Sequence, residues 1–150
     1  MKYLILSSIL LAIAIVSLSA CSNKTPDNLG MTNGKFVPCP QRDNCVSSQS
    51  TNDKHAITPI VAHGHADVVM IDLANSIESM FGAKIITMNA HYIHAEFTSR
   101  IMRFVDDLEC FYDEKAGLIQ VRSASRVGYS DFNANRKRIE ELRILFTKTQ

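Results

Sequence analysis

The amino-acid sequence predicts an α+β domain in which an antiparallel sheet of about four strands carries two helices on one face. Two segments have apolar residues at helical spacing, and the segments between them follow the two-residue period of strands. Short links join the successive strands, which favours an antiparallel meander. The predicted order is strand, helix, three strands, helix. A helix-grip fold with a ligand cavity is the alternative arrangement.

The first predicted strand and helix come before the meander. Residues 55–60 predict a short strand, and Pro59 places it at a sheet edge because proline cannot donate a ladder hydrogen bond. A helix is predicted over residues 66–81, and Gly82 ends it. Its apolar stripe consists of Val69, Leu73, Ile77 and Met80.

The meander and a second helix complete the predicted domain. The three strands are predicted over residues 85–98, 102–112 and 118–125. The turn-forming residues 113–117 separate the last two strands. The final helix is predicted over residues 132–146, with Ser130 or Asp131 as its cap. Its apolar stripe consists of Ile139, Leu142, Leu145 and Phe146.

Residues 1–20 predict a lipoprotein signal peptide. Lys2 supplies the positive start, an apolar stretch follows, and small residues stand before Cys21. Residues 18–21, Leu-Ser-Ala-Cys, resemble a lipobox, so cleavage behind Ala20 and diacylglycerol on the Cys21 thiol are expected. The alternative is an uncleaved membrane helix, but the apolar segment falls short of the about 20 residues that a span needs.

Lipidation at Cys21 predicts a bacterial cell-envelope protein, because two or three acyl chains hold a protein at a membrane permanently. Ser22 follows the cysteine where Asp would signal inner-membrane retention. The periplasmic face of the outer membrane is therefore favoured in a Gram-negative organism. Residues 21–38 are polar and predict a lipidated cysteine with a flexible tether of roughly 20–25 Å. Residues 39–150 form the predicted single domain.

The charge balance limits the classes of partner. The chain has 16 Lys and Arg against 15 Asp and Glu. Loss of the signal peptide removes one basic residue, so the mature chain is formally neutral. Neutrality argues against nucleic acid, and against a polybasic membrane surface, as the main mode of binding.

The cysteines predict one short disulfide. Cys39 and Cys45 lie close in sequence and, in an oxidising compartment, are expected to pair. Cys110 is expected to be a buried free thiol within a strand. A Cys45–Cys110 pairing is the alternative that the sequence leaves open.

The densest group of polar residues begins within the last predicted strand and continues beyond its end, over residues 121–131. Alternation places Arg122 and Arg126 on one face of the strand and Ser123 and Ser125 on the other. Guanidinium groups bind carboxylate or phosphate with paired hydrogen bonds, so an anion site is one interpretation. The candidate ligand-binding residues are Arg122, Ser123, Ser125, Arg126, Tyr129, Asn135 and Arg136.

The other interpretation is an internal ion-pair network. Acidic residues on the preceding strand can lie beside the two arginines when the strands form a hairpin, and such cross-strand pairs are common. The candidate ion-pair partners are Asp106, Asp107 and Glu109.

Metal binding and hydrolysis are weaker hypotheses. His63 and His65 are the candidate metal ligands, but no CxxC or HExxH pattern occurs and no cofactor is expected. His94 and Asp107, with Ser123 or Ser125, contain the residue types of a catalytic triad. No Gly-x-Ser-x-Gly motif occurs, and no catalytic residue is assigned.

Several short motifs resemble a known family. They are Cys39-Pro40, residues 44–48 (NCVSS), His55-x-Ile57-x-Pro59, residues 92–99 (YIHAEFTS), residues 104–109 (FVDDLE), residues 122–131 (RSASRVGYSD) and residues 135–140 (NRKRIE). Together they resemble the bacterial and plastid family catalogued as domain of unknown function fourteen-ninety-nine, from Cys39 to the C-terminus. Cys110 departs from the aromatic or aliphatic residue expected there. The resemblance implies no activity.

The sequence therefore predicts a membrane-anchored envelope lipoprotein without catalytic activity, whose domain binds an anionic envelope ligand through the arginine-rich motif. One alternative is a structural or accessory lipoprotein that docks on another envelope protein. The third is a hydrolase or metal-binding protein.

Overall fold

The computed structural model describes residues 24–150, so Cys21 and the predicted signal peptide lie outside the described residues. Within this range the chain forms a six-stranded sheet, a separate two-stranded hairpin and two helices. The strands are β1 (Met31–Thr32), β2 (Lys35–Phe36), β3 (Cys45–Ser47), β4 (Ile60–Val61), β5 (Ala83–Met88), β6 (Tyr92–Thr98), β7 (Val105–Asp113) and β8 (Leu118–Ser125). The helices are α1 (Ala66–Glu78) and α2 (Ala134–Thr147).

The main sheet is antiparallel, with strand order β3-β8-β7-β6-β5. The short strand β4 also pairs with β8, at residues 118–119, whereas β3 pairs with residues 122–124 of the same strand. This confirms the α+β class, the antiparallel meander and the two helices. The predicted number of about four strands is wrong for two reasons. β3 forms a further strand along β8, and the single strand predicted over residues 85–98 is a hairpin of two strands, β5 and β6. With only three residues, β3 is too short for its periodicity to be recognised.

The helices and the sheet share one hydrophobic core. Alternate residues of the central strands, such as Ile93, Leu108 and Val121, face α1 and α2. Leu73 of α1 and Ile139 of α2 are fully buried against them. The two-residue period of the strands therefore leaves the other face of the sheet to a different set of side chains.

The second helix begins later than predicted, at Ala134 rather than Phe132. Phe132 and Asn133 have φ angles of 52° and 64°, in the left-handed region, so neither continues a helix. The Asp131 carboxylate accepts the backbone N–H groups of Asn133 and Asn135, each at 2.9 Å. Asp131 thus satisfies donors of the first turn.

Residues 24–38 differ from the flexible tether predicted for them. The Asn33-Gly34 turn joins β1 to β2, and both turn residues have positive φ. Phe36 is buried, and its N–H donates to Gln49 Oε1 at 2.9 Å. The Gly30 N–H donates to Glu109 Oε1 on β7 at 2.6 Å. These contacts hold the segment, called here the N-terminal strap (residues 24–38), on the domain.

The cysteine pairing agrees with the expected disulfide. Cys39 and Cys45 are joined with an S–S length of 2.03 Å, which excludes the Cys45–Cys110 alternative. Cys110 is a buried free thiol on β7. Burial, together with the charge of Glu109, raises its pKa strongly, so it is an unreactive group in the core.

Helices able to cross a bilayer are absent from residues 24–150: neither α1 nor α2 is long and apolar enough.

Candidate functional site

The central strands carry a buried polar face on the side of the sheet opposite the helices. The register places His94 beside Glu109, Glu96 beside Asp107, and Glu109 beside Arg122. The residues of this polar face are Tyr92, His94, Glu96, Asp107, Glu109, Arg122 and Ala124. The N-terminal strap lies over this face, which explains how charged side chains at the middle of a sheet are kept from water.

Glu109 is the first centre of the network. Its carboxylate is fully buried and accepts hydrogen bonds from Arg122 Nη1 at 2.8 Å, Tyr92 Oη at 2.9 Å and the Gly30 N–H. Burial, followed by the charge of Glu109, raises the pKa of Tyr92, so its hydroxyl stays a donor. Glu109 therefore joins β6, β7, β8 and the strap.

Asp107 is the second centre. Arg126 donates to both of its oxygens, from Nε at 2.8 Å and from Nη2 at 2.7 Å. His94 Nε2 donates to Asp107 Oδ1 at 2.8 Å. Arg126 Nη2 also contacts Glu96, so one guanidinium joins carboxylates on two strands. The ion-pair interpretation of Arg122 and Arg126 thus describes the geometry that is present.

The electrostatics of Asp107 follow from these contacts. Burial by itself raises the pKa of its carboxyl group, but the hydrogen bonds and charges of Arg126 and His94 outweigh burial and hold the pKa below the ordinary 3.8. The hydrogen bond to Asp107 is also the largest cause that raises the pKa of Arg126 above its ordinary value. Both groups are charged in the folded protein.

This lowered pKa predicts an acid-dependent loss of stability. A carboxyl group whose pKa is lower folded than unfolded stabilises the fold fully above pH 3.8. That contribution is lost as the pH falls through the folded value. We expect Asp107→Asn to lower the free energy of unfolding near pH 7, as measured with urea. Below pH 4, the free energy of unfolding should fall less steeply with falling pH in this variant than in the wild type. Asp53→Asn, on an exposed loop, should decline as the wild type does. An unchanged decline in the Asp107 variant would contradict this assignment.

A polar cavity of about 270 Å³ lies between the strap and the polar face. Arg122, Asp107 and Arg126 line it from the polar face, Leu29 lines it from the strap, and Asn44 lines it from the residue before β3. Two buried atoms of this wall, Arg122 Nε and Asn44 Oδ1, have no hydrogen-bond partner among the described residues. One donor and one acceptor of residues that line the cavity are thus without a partner in the described part of the chain.

Ser123 and Asn135, two other candidate ligand-binding residues, lie on the helix side of the sheet. The fully buried Asn135 donates to Ser125 Oγ at 2.9 Å and to the carbonyl oxygen of Asn44 at 3.1 Å. It accepts from Ser123 Oγ at 2.6 Å and from Arg138. These residues fasten α2 to the sheet. Of this group, only Ser125 and Asn44 also line the cavity.

The remaining candidates are dispersed. Arg136 donates to the carbonyl oxygens of Ala56 and Lys54, at 2.8 and 3.0 Å, so it clamps a loop. Tyr129 is exposed in the loop before α2. Asp106 pairs with Arg138 at 2.6 Å, on the helix side, rather than with Arg122 or Arg126. The arginine motif is therefore divided between the two faces.

The histidines and serines do not form the alternative sites. The His65 side chain is exposed, and its ring Nδ1 lies 3.3 Å from Glu114 Oε1. Residues 24–150 contain no group of three or more His, Cys, Asp or Glu placed to hold a metal. His94 does pair with Asp107, but Ser123 lies on the opposite face of the sheet and Ser125 bonds Asn135. No serine joins this pair in the described part of the chain.

Some important residues were not found by sequence reasoning. Glu96 and Asn44 lie within recognised motifs but far in sequence from the arginines that they accompany. Only strand pairing brings them together. The strap had a detectable signal, because an Asn33-Gly34 pair favours a two-residue hairpin.

Comparison with known proteins places the domain in a family. Residues 35–146 match the family described as "Protein of unknown function (DUF1499)". Neither the curated proteins nor the solved structures contain a match to the chain. The matched range includes the polar face, Arg126, Asn135 and the disulfide. The chain therefore belongs to the DUF1499 family.

Proposed function

We propose that the protein is a lipid-anchored lipoprotein of the bacterial envelope, without catalytic activity, that binds a small polar ligand in the cavity beneath the N-terminal strap. One observation carries the binding proposal: Arg122 lines this cavity, and its buried Nε has no hydrogen-bond partner among residues 24–150. A buried donor without a partner costs about 1–3 kcal/mol. A ligand oxygen at this position would offset that cost.

The charges around the cavity support a particular class of ligand. Arg122 and Arg126 are already matched by the carboxylates of Glu96, Asp107 and Glu109. Arg42 also lines the cavity, so three arginines balance these three carboxylates and leave no excess positive charge for a polyanion. A molecule with one carboxylate, or with neutral hydroxyl groups, fits this balance. Asn44 Oδ1 requires a donor on the same ligand. The ligand class is therefore a small hydroxylated molecule with at most one negative charge, and not the more highly charged anions that arginine pairs often bind.

The membrane anchor in this proposal rests on the lipobox at residues 18–21. Docking on another envelope protein stays the alternative function, and it would use the outer surface rather than the cavity.

The test of ligand binding is to fill the cavity without breaking an ion pair. Ala124 lies on its wall, and Ala124→Leu should remove the space while Arg122 and Arg126 keep their partners. The full-length protein, purified from envelopes, is examined by native mass spectrometry for bound small molecules. The wild type and Ala116→Leu, at an exposed turn, should carry the ligand, and Ala124→Leu should lose it.

A second variant separates geometry from charge. Arg122→Lys keeps a cation opposite Glu109 but removes the Nε donor, so it should also lose the ligand while remaining folded by circular dichroism. A wild-type protein without any bound small molecule, or an Ala124→Leu protein that retains it, would count against the cavity as a binding site.

A further inference from the structure

Large apolar side chains are exposed at one end of the sheet. Ile101 is 86% exposed, Met102 66% and Phe132 88%. The exposed apolar residues of this end are Phe81, Ile101, Met102, Phe104, Tyr129 and Phe132. Several large apolar side chains exposed at one end of a domain indicate a binding surface there.

The topology brings these residues together. β6 ends at Thr98 opposite Val105, where β7 begins, and Ser125 at the end of β8 lies opposite Asp106. Ala83, at the start of β5, pairs with Phe97. The turn at 81–82, loop 99–104 and loop 126–133 therefore all lie at this end, called here the loop end. Arg100 stacks over the Phe81 ring at 4.5 Å, which joins the first two.

The charge of loop 99–104 indicates what the loop end contacts. The loop contains Arg100 and Arg103, and no acidic residue. Apolar side chains flanked by arginine fit a phospholipid surface, because the apolar groups enter the acyl boundary and the cations meet anionic headgroups. Arg103 has a φ of 56°, an unfavourable conformation for a residue with a side chain.

The path of the N-terminal strap leads to the same end. The Gly30 N–H contacts Glu109, and five residues earlier Thr25 Oγ1 lies 3.4 Å from Glu96 Oε1. Glu96 pairs with Asp107, which lies two residues closer to the loop end than Glu109. Three residues lie between Cys21 and Thr25, so the two are at most about 14 Å apart. The predicted lipid anchor is thus tied closely to the loop end, and a 20–25 Å spacer is not present.

We infer that the loop end is a membrane-contacting surface: Ile101, Met102 and Phe132 insert into the same phospholipid leaflet as the acyl chains on Cys21, and Arg103 meets its anionic headgroups. This inference rests on the proposed lipid anchor. It adds an orientation: the loop end of the sheet contacts the membrane, and the β7–β8 turn points away from it.

The chain contains no tryptophan, so one introduced tryptophan reports the depth of a chosen residue. Met102→Trp places it at the loop end, and Val61→Trp, at an exposed site on β4, places it at the opposite end of the sheet. The full-length protein is reconstituted into vesicles of phosphatidylethanolamine and phosphatidylglycerol with brominated phosphatidylcholine. We expect a blue-shifted, several-fold more strongly quenched emission for Met102→Trp than for Val61→Trp.

Each outcome decides the inference. Equal quenching of the two tryptophans in vesicle-bound protein overturns the membrane surface while leaving the anchor intact, and would indicate that a protein covers the loop end. Mass spectrometry of the N-terminal peptide tests acylation separately. An unacylated chain that still shows selective quenching supports the surface and refutes the anchor. A chain that does not float with vesicles refutes both.

A separate experiment tests whether Arg103 contacts anionic headgroups. In the Met102→Trp background, Arg103→Gln should reduce quenching in vesicles that contain phosphatidylglycerol and leave it unchanged in vesicles of phosphatidylcholine alone. Lys115→Gln, in the distant β7–β8 turn, should change neither. Equal effects of the two variants would overturn the role of Arg103.

Discussion

Replacement of Arg126 by methionine is expected to destabilise the domain by about 3–5 kcal/mol, the range for breaking a buried ion pair by removing one partner. The variant leaves Asp107, which is 2% exposed, beside the carboxylate of Glu96 without the guanidinium that separates their charges. His94 is the remaining partner of Asp107. Urea unfolding followed by circular dichroism at pH 7 measures the loss.

Two further variants give this experiment its control. Arg103→Met removes an arginine from an exposed loop and should change the free energy of unfolding by no more than about 0.5 kcal/mol. The double variant Asp107→Asn/Arg126→Met should recover part of the loss, because no charge at position 107 is then left buried. If Arg126→Met is as stable as the wild type, the network does not contribute to folding.

Asn135→Ala is the second variant with a large expected effect, about 2–4 kcal/mol of destabilisation. The Asn135 side chain is fully buried and hydrogen-bonds groups of Asn44 just before β3, of β8 and of the loop before α2. Its loss leaves the Ser123 hydroxyl without its 2.6 Å acceptor. Thermal unfolding measures the effect, with Asn75→Ala on the exposed side of α1 as the control.

The control should lie within about 0.5 kcal/mol of the wild type, since it removes only an exposed amide. Asn135→Asp separates volume from hydrogen bonding, because it keeps the size and the acceptor but places a second carboxylate beside Asp131. Destabilisation of both variants would show that the fold depends on the neutral amide with its Nδ2 donor at position 135 and not on side-chain volume alone. An unaffected Asn135→Ala would show that α2 is held by its apolar stripe alone.

Much of the fold could be predicted because it depends on local periodicity. The stripe of Leu73 and Ile77 predicted α1, and the alternation along 118–125 predicted β8 and assigned its two faces. The faces of Arg122 and Ser123 follow from that alternation. Where backbone conformation departs from the period, as at Phe132 and Asn133, the predicted helix start was two residues early.

For the candidate site, the sequence predicted which types of residue take part but not how they pair. The sequence indicated that Asp107 and Glu109 could pair with Arg122 and Arg126, but not which acid meets which arginine. It also did not indicate that Glu96 joins them. Those pairings depend on register, and a shift of one residue exchanges the faces of every side chain in a strand. Composition also did not reveal that the N-terminal strap covers the charged side chains of the polar face. The residues that the strap contacts, such as Glu109, are far from it in sequence.

The sequence by itself determined the α+β class and the family, because both depend on local spacing or on contiguous motifs. It favoured the short Cys39–Cys45 disulfide, but the structure was needed to exclude a Cys45–Cys110 pairing. Only the tertiary structure decided that the arginine motif is divided between a buried ion-pair network and the support of α2. Tertiary structure also decided that the strap closes a small polar cavity, and that the apolar loops meet at one end. These features arise from contacts between residues up to about a hundred positions apart, and such contacts exist only once the strands have paired in register.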